Sequence, residues 1–184
     1  MRRLLLGAAL GASLLAAAAP AGAVSVGVGA YGGMAWPVVQ DNMSQGFNYG
    51  VVVPVNVAPM FTLEGWYQGG AMGDVEETFG GDSYTRTGPD VTSFGVSALL
   101  KFGTSFTFYP FAGIGRYNIE QEGSDKVEQT GYRLGLGMDF PVIPKLKVFV
   151  RGSGDIVKTG DTSRKFGNAH AGLSYDLFDF GGIQ

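Results

Sequence analysis

Cysteine is absent from all 184 residues, and histidine occurs once. The missing cysteines exclude a disulfide scaffold, a thiolate metal site and a cysteine nucleophile. Charge is scarce as well: Asp, Glu, Lys and Arg make up 16% of the chain, against the usual quarter. Thirteen Lys and Arg face 16 Asp and Glu, a net charge of −3, so there is no basic surplus for a nucleic acid. Beyond the first twenty residues, no run is long and apolar enough for a membrane helix. Glycine abounds instead, with 31 residues against the roughly 7% of ordinary proteins. The length suits one domain with a real core.

The amino terminus reads as an export signal. Met1-Arg2-Arg3 is basic, Leu4 to Ala19 is apolar, and Ala21-Gly22-Ala23 supplies small residues for a signal peptidase. Residues 1–23 are therefore expected to be a leader cut after Ala23. The run is short for a spanning helix, and Pro20 breaks it. Losing Arg2 and Arg3 leaves 11 basic residues against 16 acidic, a net charge of −5.

From Val24 onward, apolar and small or polar residues alternate at period two, the mark of strands with unlike faces. Val24, Val26, Val28 and Ala30 oppose Ser25, Gly27, Gly29 and Tyr31; Phe47 to Val57 on odd positions oppose Asn48 to Asn56. Phe61, Leu63 and Tyr67 oppose Thr62, Glu64, Trp66 and Gln68; Phe94 to Phe102 on even positions oppose Ser93, Gly95, Ser97 and Lys101. Residues 106–117 form a fifth run, with aromatics on both faces and no clear orientation. Three more runs follow. Tyr132 to Phe140 oppose Arg133 to Asp139, Leu146 to Val150 oppose Lys147 to Ser153, and Ala169 to Leu177 oppose Asn168 to Asp176. Eight strands of about ten residues each match the length that a tilted strand needs to cross a bilayer.

The connections alternate in length. Residues 58–60, 103–105 and 141–145 are short turns, while 35–46, 73–90, 118–129 and 155–166 are expected to be long polar loops. Transmembrane barrels have this asymmetry, with short turns inside and long loops outside. Aromatics gather at both ends. Phe61, Phe102, Phe106, Phe140, Phe178 and Phe180 lie near the short turns; Trp36, Phe47, Tyr49, Tyr67, Tyr117 and Tyr132 lie near the loops. Two such belts suit two membrane interfaces. A chain that spans by strands must pair every backbone group and leave no open edge. The expected fold is all-β: an eight-stranded antiparallel up-and-down transmembrane barrel over residues 24–180, with a short tail at 181–184. Eight strands enclose a lumen that side chains can fill.

Several stretches carry a resemblance. Tyr109-Pro-Phe-Ala-Gly-Ile-Gly-Arg-Tyr117, Gly131-Tyr-Arg-Leu-Gly-Leu-Gly-Met-Asp-Phe140, Ala169-His-Ala-Gly-Leu-Ser-Tyr-Asp-Leu-Phe178 and Leu63-Glu-Gly-Trp-Tyr67 resemble strands of the small outer-membrane β-barrel family of diderm bacteria, the group containing the OmpA transmembrane domain. The resemblance covers residues 24–180, and it departs where Gly181-Gly-Ile-Gln184 follows Phe180. It implies an outer-membrane location, contact with outer-membrane lipids and lipopolysaccharide, and handling by the outer-membrane assembly machinery. It also implies a porin-like or surface role.

Candidate chemistry is thin. Gly27-Val-Gly-Ala-Tyr-Gly32 has the letters of a dinucleotide motif, but no helix follows it. Asn42-Met-Ser44 is a sequon by letter only. His170 shares its face with Ser153 and Ser174, a pair conceivable in a lipid-modifying enzyme, yet no nucleophile motif accompanies it. The acidic loop residues Asp74, Glu76, Glu77, Asp82 and Asp90, and then Glu120, Glu122, Asp125 and Glu128, match no metal-loop spacing. The inward charges say more: Glu64, Asp139 and Asp176 against Lys101, Arg133, Lys147 and Arg151. Charge in a narrow lumen is costly unless paired, so a network is expected, with Glu64, Arg133 and Arg151 cross-linking opposite walls near mid-height.

These readings lead to a monomeric, non-enzymatic barrel with no cofactor and no metal. Its role is in membrane integrity or in adhesion-type contacts, with a possible extracellular ligand at the loops and no nucleic acid. The alternatives are a narrow channel for ions or small solutes, a lipid-modifying enzyme, and a soluble lipocalin-like binding protein.

Overall fold

A computed structural model describes residues 25–38, 44–79, 82–120, 126–159 and 162–179. The expected leader, residues 39–43, Phe180 and the tail lie outside the described residues. The strands are β1 (Ser25–Pro37), β2 (Gly46–Ala58), β3 (Phe61–Ala71), β4 (Val75–Phe79), β5 (Asp82–Arg86), β6 (Asp90–Leu100), β7 (Thr107–Glu120), β8 (Val127–Ile143), β9 (Leu146–Thr159) and β10 (Thr162–Asp179). Eight of them close a barrel in the order β1-β10-β9-β8-β7-β6-β3-β2, and β4 and β5 pair as a separate hairpin. Every barrel pairing is antiparallel, and β1 closes on β10 from Ser25↔Asp179 to Pro37↔Phe166.

The alternation of side chains decides which face is which. Val51, Val53, Leu63, Val96, Leu134, Leu136 and Leu173 are exposed on the outer wall, while Glu64, Arg133, Asp139, Arg151 and His170 are buried inside. Polar-in, apolar-out is the reverse of a soluble barrel and fits a wall that faces lipid. The letter match Gly27 to Gly32 lies wholly within β1. Pro54 sits within β2. It has no N–H to give, and the β1–β2 ladder breaks off between Val26↔Val55 and Gly29↔Val52.

The connections differ from expectation at both ends of the barrel. Residues 73–90 are not one open loop, because β4 and β5 form a hairpin there. Residues 155–166 are mostly strand: β9 runs to Thr159 and β10 starts at Thr162. Similarly, β7 continues to Glu120 and β8 begins at Val127. Beyond a membrane, a strand keeps its backbone pairing but no longer needs an apolar outer face, so polar composition does not end it. At the other end, β8 runs on to Ile143, leaving Pro144 and Lys145 as a tight turn with Lys145 at φ 72. Gly103, at φ 111, turns the chain between β6 and β7, where Phe102 and Phe108 form an isolated bridge.

The fifth run acquires an orientation. Tyr109, Phe111, Tyr117 and Ile119 point inward and are buried. Their rings have room because the neighbouring strand offers glycine: a Cβ at Gly131 would meet the Tyr117 ring at 2.6 Å, and Gly135 and Gly137 lie equally hard against Phe111 and Tyr109. The same device recurs where Phe149 covers Gly172 and Trp66 covers Gly95 and Gly115.

Candidate functional site: the lumen and its rims

β3 and β9 stand four strands apart in a ring of eight, so they face each other across the barrel. Glu64 projects inward from β3 and Arg151 from β9. Arg151 donates two hydrogen bonds to the Glu64 carboxylate, one of them Nη2 to Oε2 at 2.8 Å. The guanidinium also donates through Nε to the Tyr109 hydroxyl at 2.9 Å. Tyr109 in turn donates to Asp139 Oδ1 at 2.6 Å, and Asp139 pairs with Lys101 at 3.0 Å. One chain of contacts thus runs Lys101–Asp139–Tyr109–Arg151–Glu64, from the end of β6 through β8, β7 and β9 to β3. Aromatic faces support it, with the Arg151 guanidinium 4.5 Å from the Phe149 ring centre.

A second layer lies nearer the β4–β5 end. Arg133 binds Asp155 in bidentate fashion, Nε to Oδ1 at 2.8 Å and Nη2 to Oδ2 at 2.7 Å. It also donates to Gln68 Oε1 at 2.9 Å and lies 3.9 Å over the Trp66 ring. Tyr31 donates to the same Gln68 oxygen at 3.2 Å. Above this layer, Asn48 Nδ2 donates to Asn168 Oδ1 at 3.0 Å, between Tyr117 and Phe166. Below it, towards the short turns, Lys147 and Asp176 pair at 2.7 Å and are partly exposed. Two cavities among the described lumen residues measure about 10 Å³ each, room for about one water apiece.

The structure brings together Glu64 with Arg151, Lys101 with Asp139 and Lys147 with Asp176. Arg133 does not reach Glu64, because Asp155 takes it. Asp155 is a further inward charge, in a segment whose polar composition reads as loop; it continues the odd-numbered inward face of β9 through Lys147, Phe149, Arg151 and Ser153. With it, the lumen holds four paired acids and four paired bases among the described residues. Tyr109, which links two of these pairs, and Gln68, which accepts from Arg133, are polar partners that charge counting alone does not find.

His170 stacks on Tyr31, with ring centres 4.4 Å apart, and packs edge-on to Phe149. Its Nδ1 and the Ser153 hydroxyl are buried without hydrogen-bond partners, so His170 and Ser153 do not form a bonded pair. Among the described residues, no group of three or more His, Asp or Glu is placed to hold a metal ion.

The aromatic residues mark two ends of the outer wall. Phe102, Phe106, Phe140 and Phe178 are exposed beside the short turns and Phe61 is partly exposed there, with Phe106 stacked on Phe140. Trp36, Tyr49, Tyr67, Phe47 and Tyr132 are exposed at the opposite end. Tyr117 leaves this second group: it faces the lumen at 1% exposure, because Gly131 on β8 gives its ring a bed inside. Outside the spanning wall, the Lys126 ammonium lies 2.6 Å from Glu120, and this hydrogen bond holds its pKa above the usual lysine value.

An apolar wall with two aromatic ends, closed around a polar, ion-paired interior, defines an outer-membrane β-barrel. The family described as "Outer membrane protein beta-barrel domain" matches residues 7–176, and the chain belongs to that family. Among solved structures, Neisserial surface protein A (NspA) is similar at 16% identity and TM-score 0.61, over 84% of this chain and 97% of that one. The N-terminal β-barrel domain of Pseudomonas aeruginosa OprF is similar at 15% identity and TM-score 0.53, over 82% and 97%. A major outer membrane protein from Thermus thermophilus follows at 11% identity and TM-score 0.57, over 84% and 99%. At these identities the likeness is one of fold. No curated protein sequence matches this one. Family and fold together place the chain in the outer membrane.

Proposed function

We propose that this protein is a plugged, non-conducting outer-membrane barrel that works as a monomer through its wall and outer connections, in membrane integrity or adhesion-type contact. The observation that carries this reading is the Glu64–Arg151 pair, which ties β3 to β9 across the full width of the lumen. Above it, the Arg133–Asp155–Gln68 layer and the Trp66 ring fill the next level of the lumen. The β4–β5 hairpin and the long strands β7 to β10 give the outer face a hydrogen-bonded frame for a ligand or surface contact. Membrane lipids are the constant partner of the wall, and assembly follows export by way of the leader ending at Ala23. Catalysis is not part of the reading, since the only histidine stacks between rings without a polar partner at Nδ1.

Planar-bilayer recording tests it. The wild-type barrel is expected to insert without conductance steps, whereas Glu64→Ala, which removes the link between opposite walls, is expected to show small ones. Steady steps from the wild type would make the protein a narrow channel. Unchanged closure in Glu64→Ala would remove Glu64 from the plug.

A further inference from the structure

The outer wall carries almost no charge. On the membrane-facing parity, charged side chains occur only near the strand ends, and those at the outer rim differ in whether they are paired. On the β7–β8 side, Arg116 is paired with Glu128 at 3.4 Å and Lys126 with Glu120 at 2.6 Å. On the β9–β10 side stand Lys158 and Lys165, both exposed and both without an ion pair among the described residues.

These two lysines sit at a defined height. Lys165 is in register with Ile156, and Ile156 with Tyr132, so a tyrosine, an isoleucine and a lysine lie level on three neighbouring strands. Lys158 is in register with Ser163, which sets it one step further out and diagonal to Lys165, with Cα atoms about 7–8 Å apart. On the other flank, the Trp36 ring lies over Gly167, the next outward position below Lys165. Tyr132 and Trp36 are amphipathic rings exposed at the end of the apolar wall, the level at which lipid headgroups begin. Directly beneath Ile156, Gly154 leaves open space against the wall, where an acyl chain can lie.

We propose that Lys158 and Lys165, bracketed by Tyr132 and Trp36, form a seat for the phosphate of an outer-leaflet lipid. The two ammonium groups supply positive charge where that phosphate sits, and no acid among the described residues pairs with them. The bare wall below takes the chains. The inference rests on the membrane-spanning reading of the outer face and adds a lipid class and a site to it.

Trp36 is a built-in reporter, because the other tryptophan, Trp66, is buried in the lumen beneath Arg133. Reconstitute the protein in phosphatidylcholine vesicles with a fixed fraction of brominated phosphatidic acid or of brominated phosphatidylcholine, and compare the quenching of tryptophan fluorescence. The wild type is expected to favour the phosphatidic acid, by about fivefold in relative affinity per lysine. Added salt should shrink that preference. Lys158→Gln with Lys165→Gln should bring the ratio near one, while Lys126→Gln, on the neighbouring β7–β8 hairpin and already paired with Glu120, should keep it. Both lysines are exposed, so the double variant is expected to fold. Equal quenching by the two lipids in the wild type, or an unchanged preference in the double variant, overturns the lipid seat and leaves the barrel reading intact. No quenching by either lipid would mean that the Trp36 wall does not face a bilayer, and both inferences would fall.

Discussion

Glu64→Ala is the most informative perturbation of the lumen. In the folded protein Glu64 is 3% exposed and, among the described residues, provides the only carboxylate that hydrogen-bonds Arg151. The other buried acids are taken: Asp139 by Lys101 and Tyr109, and Asp155 by Arg133. Removing Glu64 therefore leaves a guanidinium in the lumen with the Tyr109 hydroxyl as its remaining acceptor. Breaking one half of a buried pair costs about 3–5 kcal/mol, whereas an exposed pair is worth under about 1 kcal/mol. With a urea slope of about 2 kcal/mol/M, that loss moves the unfolding midpoint down by roughly 2 M. The assay is urea titration in lipid vesicles, followed by the gel-mobility difference between folded and unfolded barrel. Glu64→Leu combined with Arg151→Met removes both charges at similar volume and should recover stability to within about 1 kcal/mol of wild type or exceed it. A single-variant loss below about 1 kcal/mol would mean that water already solvates Arg151, and the dry, plugged lumen would be refuted.

Three further outcomes follow from the same geometry. Lys145 holds φ 72 in the Pro144–Lys145 turn, a left-handed conformation costing a non-glycine residue about 1–2 kcal/mol, so Lys145→Gly should raise the urea midpoint, net of glycine's entropy, by up to about 0.5 M. Gly137→Ala would drive a methyl into the Tyr109 ring and should cost about 1–3 kcal/mol in the same titration. Arg116→Ala removes a pair whose two side chains are 52% and 50% exposed, and the midpoint should hardly move.

How much of this is legible in the sequence depends on whether the signal lies within one strand or between two. Parity along a single strand is a local property, and it correctly separates Glu64 from Leu63 and Arg133 from Leu134. It fails for β7, where Tyr109, Phe111 and Tyr117 on the inner face alternate with Phe108 and Ile114 on the outer one. What decides there is the glycine series on β8, and nothing in the β7 segment alone reveals which neighbour it will meet. Tyr117 reads as part of the outer belt for this reason. Asp155 is hidden differently. A run of polar residues ends the apolar pattern that membrane strands need, yet the backbone ladder continues past the membrane, so β9 and β10 outlast their own hydrophobic signal. The β4–β5 hairpin is invisible on the same grounds, since its segment is polar and Ser83 to Arg86 of β5 are exposed. Which acid meets which base is a matter of ring geometry: β3 opposes β9 because eight strands close in this order, and only closure brings Glu64 to Arg151.

A closed barrel inserted in the outer membrane resists detergent until it is heated. The most direct test is to express the full chain in a diderm host, separate outer membrane from periplasm, and run each fraction on SDS gels without and with boiling. The protein is expected in the outer-membrane fraction, with the unboiled band migrating faster than the boiled one, because a fully paired barrel stays compact in SDS until heated. A folded protein recovered from the soluble periplasm, with no heat-dependent band in the membrane fraction, would contradict a closed outer-membrane barrel.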